Sequence, residues 1–362
     1  MHKGTAQSFT QDWQHQGMAL ASQNFLASLF CTHSRFTMRY CEATQSPVRF
    51  YNLVPGTANL EERIVRGLVQ SEKELPSSLL YDARGVRLFD RIGQQEGYSL
   101  VRRECRLLRE SGRELRRMAG KRSVVVDYGS GTSRAGLALL RSLTRPAAYV
   151  AVDASLASLK LGVARVRRTL PWLRTIPVRA DFTSCFALPA AWSHATRLLV
   201  YVSSSAFSTL SPSSAMRLLE GAAGLCGQRG GIVVGVDLRC DSELHDFDGD
   251  RLRSFNLNAL VSLNRQFSAT FRVDRFAHRA CWNRSSRRVE LQLVSRVEQT
   301  AKIDHHKIRF RQGEAVRTEC SQRYGWNDVE RMAREVRLTI DNAWTDDERR
   351  LALVYLRRSR DR

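Results

Sequence analysis

The sequence is short of lysine, of long apolar runs and of paired-cysteine motifs, and each shortage removes a class of protein. Its eight cysteines (Cys31, Cys41, Cys105, Cys185, Cys226, Cys240, Cys281 and Cys320) are scattered over 362 residues with no two at C-x-x-C spacing. That excludes a disulfide framework and leaves reduced thiols that pack as small apolar side chains. His278 and Cys281 have ligand-like spacing, but no second such pair completes a zinc site, and His305–His306 stands alone, so no metal is expected. The longest apolar runs, such as Val124–Val126 and Leu198–Val202, are strand-sized, so no membrane span is expected. Met1–Cys31 has one Lys and no Arg, and its apolar stretch Met18–Ala21 is too short for a signal-peptide core, so a cytoplasmic location is expected. No internal repeat is visible.

What is abundant is arginine. The formal charge is +21, and only six of the 57 Lys and Arg residues are Lys. Clustered cations would suit a nucleic-acid partner. Here they spread from Arg35 to Arg362, with modest peaks at Arg113–Arg122 and Arg357–Arg362 and no RNA-recognition signature of interleaved aromatics. They read as solvated helix faces, and neither nucleic acid nor membrane is expected as a partner. The 43% hydrophobic content supports a real core, and the length suits one large or two moderate domains.

The first ~45 residues, up to Ser46–Pro47, are rich in Gln, Ser and Thr and are expected to be poorly structured or weakly helical, with Met38 a candidate start. Helical spacing follows at Glu61–Glu74 and at about Arg102–Met118. Strands are then expected at Ser123–Tyr128, Ala147–Val152, Ile176–Ala180, Leu198–Val202 and Gly231–Asp237. Helices lie between them: one beginning near Ser133, then Ser155–Leu170 and Ser213–Cys226. This alternation predicts an α/β doubly wound sheet with right-handed crossovers. It stops after Asp237 for about 85 residues, too long for a loop. That stretch holds a helix, Asp250–Phe267, and strands such as Val289–Val294 and Lys307–Phe310. The alternation resumes with a helix near Asp328–Val336 and strands Arg337–Trp344 and Ala352–Arg357.

Chemistry gathers where the first strand meets the first helix, in Asp127-Tyr128-Gly129-Ser130-Gly131-Thr132-Ser133. Glycines there let backbone approach a ligand, and the helix N-terminus offers free N–H groups. A dinucleotide fingerprint needs a third glycine, but position 134 is Arg. An acid two residues before the first glycine instead matches the D/E-x-G-x-G pattern of S-adenosylmethionine sites, where it serves the methionine end. Asp153 ends the second strand, where an acid accepts from ribose hydroxyls. Asp181 and Phe182 follow the third, as a carboxylate and an aromatic wall for adenine. Three such signals at three successive strand ends argue for S-adenosylmethionine as cofactor.

A family resemblance then becomes specific. The run Leu75-Pro76-Ser77-Ser78-Leu79-Leu80-Tyr81-Asp82-Ala83-Arg84-Gly85-Val86-Arg87-Leu88-Phe89-Asp90 resembles the opening motif of the histidine Nα-methyltransferases of ergothioneine biosynthesis. So do the glycine turn, Phe255-Asn256-Leu257-Asn258, Asn264-Arg265, Phe276-Ala277-His278, Trp282-Asn283 and Thr318-Glu319-Cys320-Ser321. The resemblance spans roughly Phe50 to Leu356. It implies a Rossmann-like class I methyltransferase domain (residues 102–237 and 323–362) and a second, α+β substrate-binding domain (46–101 and 238–322). It also implies methyl transfer to the α-amino group of a free amino acid, up to the trimethylated betaine, without a metal. The sequence does not fix the oligomeric state, and a monomer is the expectation. Tyr81, Phe89 and Tyr98 fall where the family lines its substrate pocket, with Tyr81 and Tyr98 at the reacting amine. Glu319 and Ser321 fall where it hydrogen-bonds the imidazole, and Ser204 and Leu291 also line the substrate.

Three positions depart from the family. Thr209, in Ser204-Ser205-Ala206-Phe207-Ser208-Thr209-Leu210, stands where an Asn holds substrate; His245 replaces a Tyr; and Ala135 replaces a Lys near the cofactor turn. Thr and His still hydrogen-bond, but with different reach. The imidazole end is kept while the amino-acid end is rebuilt. That leaves three alternatives to histidine methylation: a modified histidine, another aromatic amino acid or a natural-product amine as substrate; an Arg-rich nucleic-acid methyltransferase; or a non-catalytic relative.

Overall fold

The valine-rich run at 124–128 is buried along its whole length, as a central parallel strand must be. The computed structural model that shows this describes residues 39–41, 50–53, 58–94, 100–181, 197–239, 244, 247 and 249–359. Around β4 (Val124–Tyr128) a nine-stranded sheet forms. On one side lie β5 (Ala148–Asp153), β6 (Arg174–Arg179), β2 (Phe50–Asn52) and β1 (Arg39–Cys41). On the other lie β7 (Leu198–Val202), β8 (Gly231–Asp237), β15 (Leu351–Arg358) and β14 (Leu338–Thr345). Pairing from β2 to β8 is parallel, and β15 runs antiparallel to β8. The expected doubly wound sheet is present, with a reversed hairpin at its far edge.

Alternate residues of the central strands feed two cores. Val124, Val126, Val150 and Val200 face α8 (Pro212–Cys226) and α10 (Trp326–Glu335). Val125, Tyr149, Leu199 and Tyr201 face α3 (Leu100–Glu110), α4 (Gly112–Ala119), α5 (Arg134–Ser142) and α6 (Leu156–Thr169). Each fully buried valine stabilises by roughly 1.5–3 kcal/mol.

A third core lies outside this sheet. The four-stranded sheet β3 (Lys73–Glu74), β13 (Ala315–Gln322), β10 (Arg288–Ser295) and β9 (Phe276–Asn283) packs on α1 (Ala58–Val69), α2 (Ala83–Ile92) and α9 (Asp250–Gln266). A two-stranded ribbon, β11 (Gln299–Ile303) and β12 (His306–Phe310), joins it.

Local chemistry explains most departures from expectation. The helix expected over Glu61–Glu74 ends at Val69, and Lys73–Glu74 pairs in parallel with β13 instead. The single helix expected from Arg102 to Met118 is two, hinged at Ser111, whose hydroxyl donates back to Leu107 O at 2.6 Å. Within the segment expected to lack structure, 39–41 forms a strand antiparallel to β2. The rest of that segment lies outside the described residues. The serine run contains a short helix, α7 (Ser204–Ser208), because Ser203 Oγ accepts from Ala206 N at its start. Among the described residues no helix is long and apolar enough to cross a membrane.

Candidate functional site

The turn after β4 is built from left-handed backbone: Gly129 and Gly131 have φ of 66° and 50°, and Ser133 has 54°. A side chain resists this conformation, so glycine fits the first two positions. Asp127 on β4 is buried, and its Oδ2 accepts from Tyr149 OH at 2.6 Å. Tyr149 OH also bonds Ser133 Oγ at 2.9 Å, tying the acid to the turn. Asp127 Oδ1 is buried with no hydrogen-bond partner. Burial, opposed by the Tyr149 bond and reinforced by the charges of Glu104 and Asp153, pushes the Asp127 carboxyl up to about 8. Gly136 lets α5 close over this group: a Cβ there would stand 2.2 Å from Asp127 Oδ2 and 2.8 Å from Tyr149 OH.

Asp153 closes the other side of the turn. Its Oδ2 accepts from Gly131 N and its Oδ1 from Ser155 N, both at 2.8 Å. Burial raises this carboxyl to about 6 against those two bonds. Each oxygen keeps the capacity to accept from a further donor. A small cavity beside the turn is lined by Asp127, Gly129, Gly131 and Ala135, with Phe89 and Ser203 across it. Asp181 is exposed just beyond β6, and Phe182 lies outside the described residues.

The elements of the third core bring aromatic and acidic groups to the same cleft. Tyr81, Phe89 and Phe255 form a ring triad with centroids 5.4–5.7 Å apart. The Tyr81 hydroxyl donates to Glu319 Oε2 at 3.2 Å. Burial raises the Glu319 carboxyl to about 7, opposed by the Cys320 N–H and by Tyr81. Ser321 Oγ accepts from the Arg323 guanidinium at 2.8 Å, which leaves its own proton free to donate. Tyr81 O accepts from Ser155 Oγ at 2.7 Å, and Ser155 N binds Asp153. The aromatic triad and Asp153 are therefore joined through one serine.

The quoted motifs mostly hold this arrangement in place. Asp82 caps α2 by accepting from Gly85 N at 2.7 Å, and it also binds Asn258 at 2.9 Å and Arg265 at 2.7 Å. A Cβ on Gly85 would stand 1.7 Å from Leu80 O, so this position needs glycine. Asn256 donates to Gln292 O at 3.0 Å, bonds His278 Nδ1 at 2.9 Å and accepts from Thr318, linking α9 to three strands. His278 is thereby a fixed structural side chain, its Nε2 bonded to Phe247 O at 2.7 Å.

Other expected site residues are placed differently. Ser204 is fully buried, with both its N–H and its hydroxyl given to Glu104, so it supports the cleft wall and Ser203 and Ser205 line the cavity. Leu291 is a core residue of β10, paired across from Glu319. Thr209 is exposed at the end of α7, with its hydroxyl donated to Ala206 O at 2.8 Å. Thr132 gives its hydroxyl to Asp90 at 2.8 Å. Tyr98 and His245 lie outside the described residues.

Two acids escaped the sequence reading. Asp90, at the end of the opening motif, binds Arg134 and Arg165 as well as Thr132. Burial would raise its carboxyl, but the bonds from Arg134 and Thr132 and the Arg165 charge outweigh that and hold it at about 2. Glu104 is fully buried and accepts from Tyr201 OH at 2.7 Å and from Ser204 Oγ at 2.7 Å; burial raises its pKa despite these bonds. A signal was present: Glu104 shares the apolar helical period of Leu100, Leu107 and Leu108.

With this geometry in view, comparison with known proteins is specific. The model of a family described as histidine-specific, S-adenosylmethionine-dependent methyltransferases matches residues 60–358. A histidine N-alpha-methyltransferase of Mycolicibacterium smegmatis is 29% identical over 307 residues, 82% of this chain and 94% of the relative. One of Mycobacterium tuberculosis is 28% identical over 302 residues, covering 81% and 92%. The N-methyltransferase imqF of Aspergillus flavus is 23% identical over 319 residues, covering 83% and 86%.

Proposed function

The chain belongs to the histidine-specific, S-adenosylmethionine-dependent methyltransferase family, and from that premise we propose that it methylates the α-amino group of free L-histidine to the trimethylated betaine. Its Rossmann-like sheet is the class I methyltransferase fold, and its cofactor is S-adenosylmethionine. The reading of the third core as the substrate-binding domain, and of the reaction as a step in ergothioneine biosynthesis, belongs to the same proposal.

The residues fit the cofactor. Asp127 Oδ1, buried and unpartnered, is an acceptor suited to the methionine ammonium, and the remaining acceptor capacity of Asp153 suits the ribose hydroxyls. When bound, S-adenosylmethionine supplies an electrophilic methyl group on a sulfonium. The chain's own residues then hold the amine in line and keep it neutral. Positioning of this kind supplies most of the rate, and the low-polarity box of Tyr81, Phe89 and Phe255 disfavours the ammonium form. Glu319 and Ser321 would hold the imidazole, one accepting and one donating.

The observation that carries this reading is the Glu319–Tyr81 pair, a part-buried carboxylate joined through Tyr81 and Ser155 to the ribose-type acid. The test uses S-adenosylmethionine labelled with carbon-13 on its methyl group and free L-histidine. The proposal requires label on the α-nitrogen of the product; label on the imidazole, or none, overturns it. A second reading rests on Thr209, whose hydroxyl is already donated to Ala206 O. It makes the substrate another aromatic amino acid or a natural-product amine, and a panel of such amines, outcompeting histidine, would establish it.

A further inference from the structure

A groove of about 910 Å³ on the face of α3, α4 and α5 is lined by nine arginines against four carboxylates. Five of those arginines form one stripe: Arg102, Arg106, Arg109, Arg113 and Arg116 follow steps of four, three, four and three residues. The stripe survives the joint between the two helices because Ser111 keeps a right-handed helical backbone. Residues at this spacing stand one above another on a helix, roughly 5–6 Å apart at Cβ. Arg134 and Arg141, seven residues apart on α5, face the same groove, whose floor is the apolar surface of Leu107, Leu137 and Ala138.

Part of this charge is already spent. Arg103 and Arg106 pair with Asp346, Asp347 and Glu348 of the β14–β15 turn, and Arg134 and Arg165 grip Asp90. Among the described residues no ion pair reaches Arg102, Arg109, Arg113 or Arg141. A solvated arginine face is normally convex, where like charges splay apart in water. Here they converge on a concavity, which concentrates the field and attracts anions. Guanidinium forks also match the paired oxygens of phosphate.

We propose that this groove binds a compact oligophosphate, either inorganic or carried by a nucleoside. The acidic turn along one side would repel a continuous phosphate backbone passing through, and the lining holds no aromatic ring on which nucleic-acid bases could stack. Its volume suits a small ligand. The groove borders the cofactor cavity, since Gly93, Val101 and Arg134 line both. The cofactor carries no phosphate, so this ligand is distinct from it.

The test is titration calorimetry of the full chain at physiological salt with inorganic tripolyphosphate, ATP and a single-stranded oligonucleotide. Saturable one-site binding of tripolyphosphate or ATP is expected, the tighter of the two identifying the source. The R109A/R113A/R141A variant should weaken it at least tenfold while methyl transfer is unchanged. A control variant, R63A/R296A/R334A, removes three exposed arginines far from the groove in sequence and should bind as the parent does. Absence of binding, or an equal loss in both variants, would overturn the proposal. So would tighter binding of the oligonucleotide through the same three arginines.

Discussion

Glu319→Gln tests the proposed contact between Glu319 and the substrate imidazole. The amide keeps the shape of the side chain and can still accept from Tyr81, whose hydroxyl stands 3.2 Å from Glu319 Oε2. What it loses is the charge. A hydrogen bond to a charged partner is worth about 1.5–3 kcal/mol, so kcat/KM for histidine should fall about ten- to hundredfold. The fall should sit mainly in KM, because the imidazole is remote from the transferred methyl. Methylation of an amine without an imidazole should be unaffected. The pH profile gives a second readout. Burial holds the Glu319 carboxyl at about 7 against an ordinary 4.5. The folded state therefore retains this proton longer than the unfolded chain does. Stability from this group is full below pH 4.5 and declines as pH rises toward 7, by at most about 3 kcal/mol and by less where the cleft admits water. The variant should lack that decline in urea denaturation and lack an acid limb near pH 7 in its KM for histidine. An unchanged kcat/KM for histidine would refute the assignment of Glu319 to the imidazole.

Three further outcomes follow from the cofactor side. The Asp127 carboxyl, held at about 8 by burial, must ionise to receive a cation. Calorimetric affinity for S-adenosylmethionine should therefore strengthen from pH 6 to pH 7.5 with proton release, and Asp127→Asn should abolish both effects. Gly136→Ala places a Cβ 2.2 Å from Asp127 Oδ2; denaturant titration should show a loss of about 1–3 kcal/mol, with weaker cofactor binding. Asp90→Asn removes the countercharge of Arg134 and Arg165. Because that carboxyl is held at about 2, its stabilisation is present above pH 3.8 and is lost as pH falls toward 2. The variant should melt lower at pH 7, lose that acid dependence and show a raised KM for cofactor.

The alternating sheet was readable because each central strand is a short apolar run, and burial on both faces demands that pattern. The acids Asp127 and Asp153 were readable because they interrupt those apolar runs at the strand ends beside the glycine turn. What pins them was not: Tyr149 reaches Asp127 across neighbouring strands, a pairing that exists only once the register is set. The opening motif signalled a family, but not that Asp82 and Gly85 are structural while Asp90 reaches across to the glycine turn. Ser204 shows the limit of transferring roles by alignment. Its neighbours line the cavity, and the buried Glu104 beneath turns it inward. Strands β9, β11 and β13 were hidden in a stretch whose burial depends on contacts made far along the chain.

The most direct test of the account is mass spectrometry of free L-histidine after incubation with the purified protein and S-adenosylmethionine. The account predicts successive addition of one, two and three methyl groups, ending at the trimethylated betaine. Intact cofactor binding with no methylated histidine would contradict it.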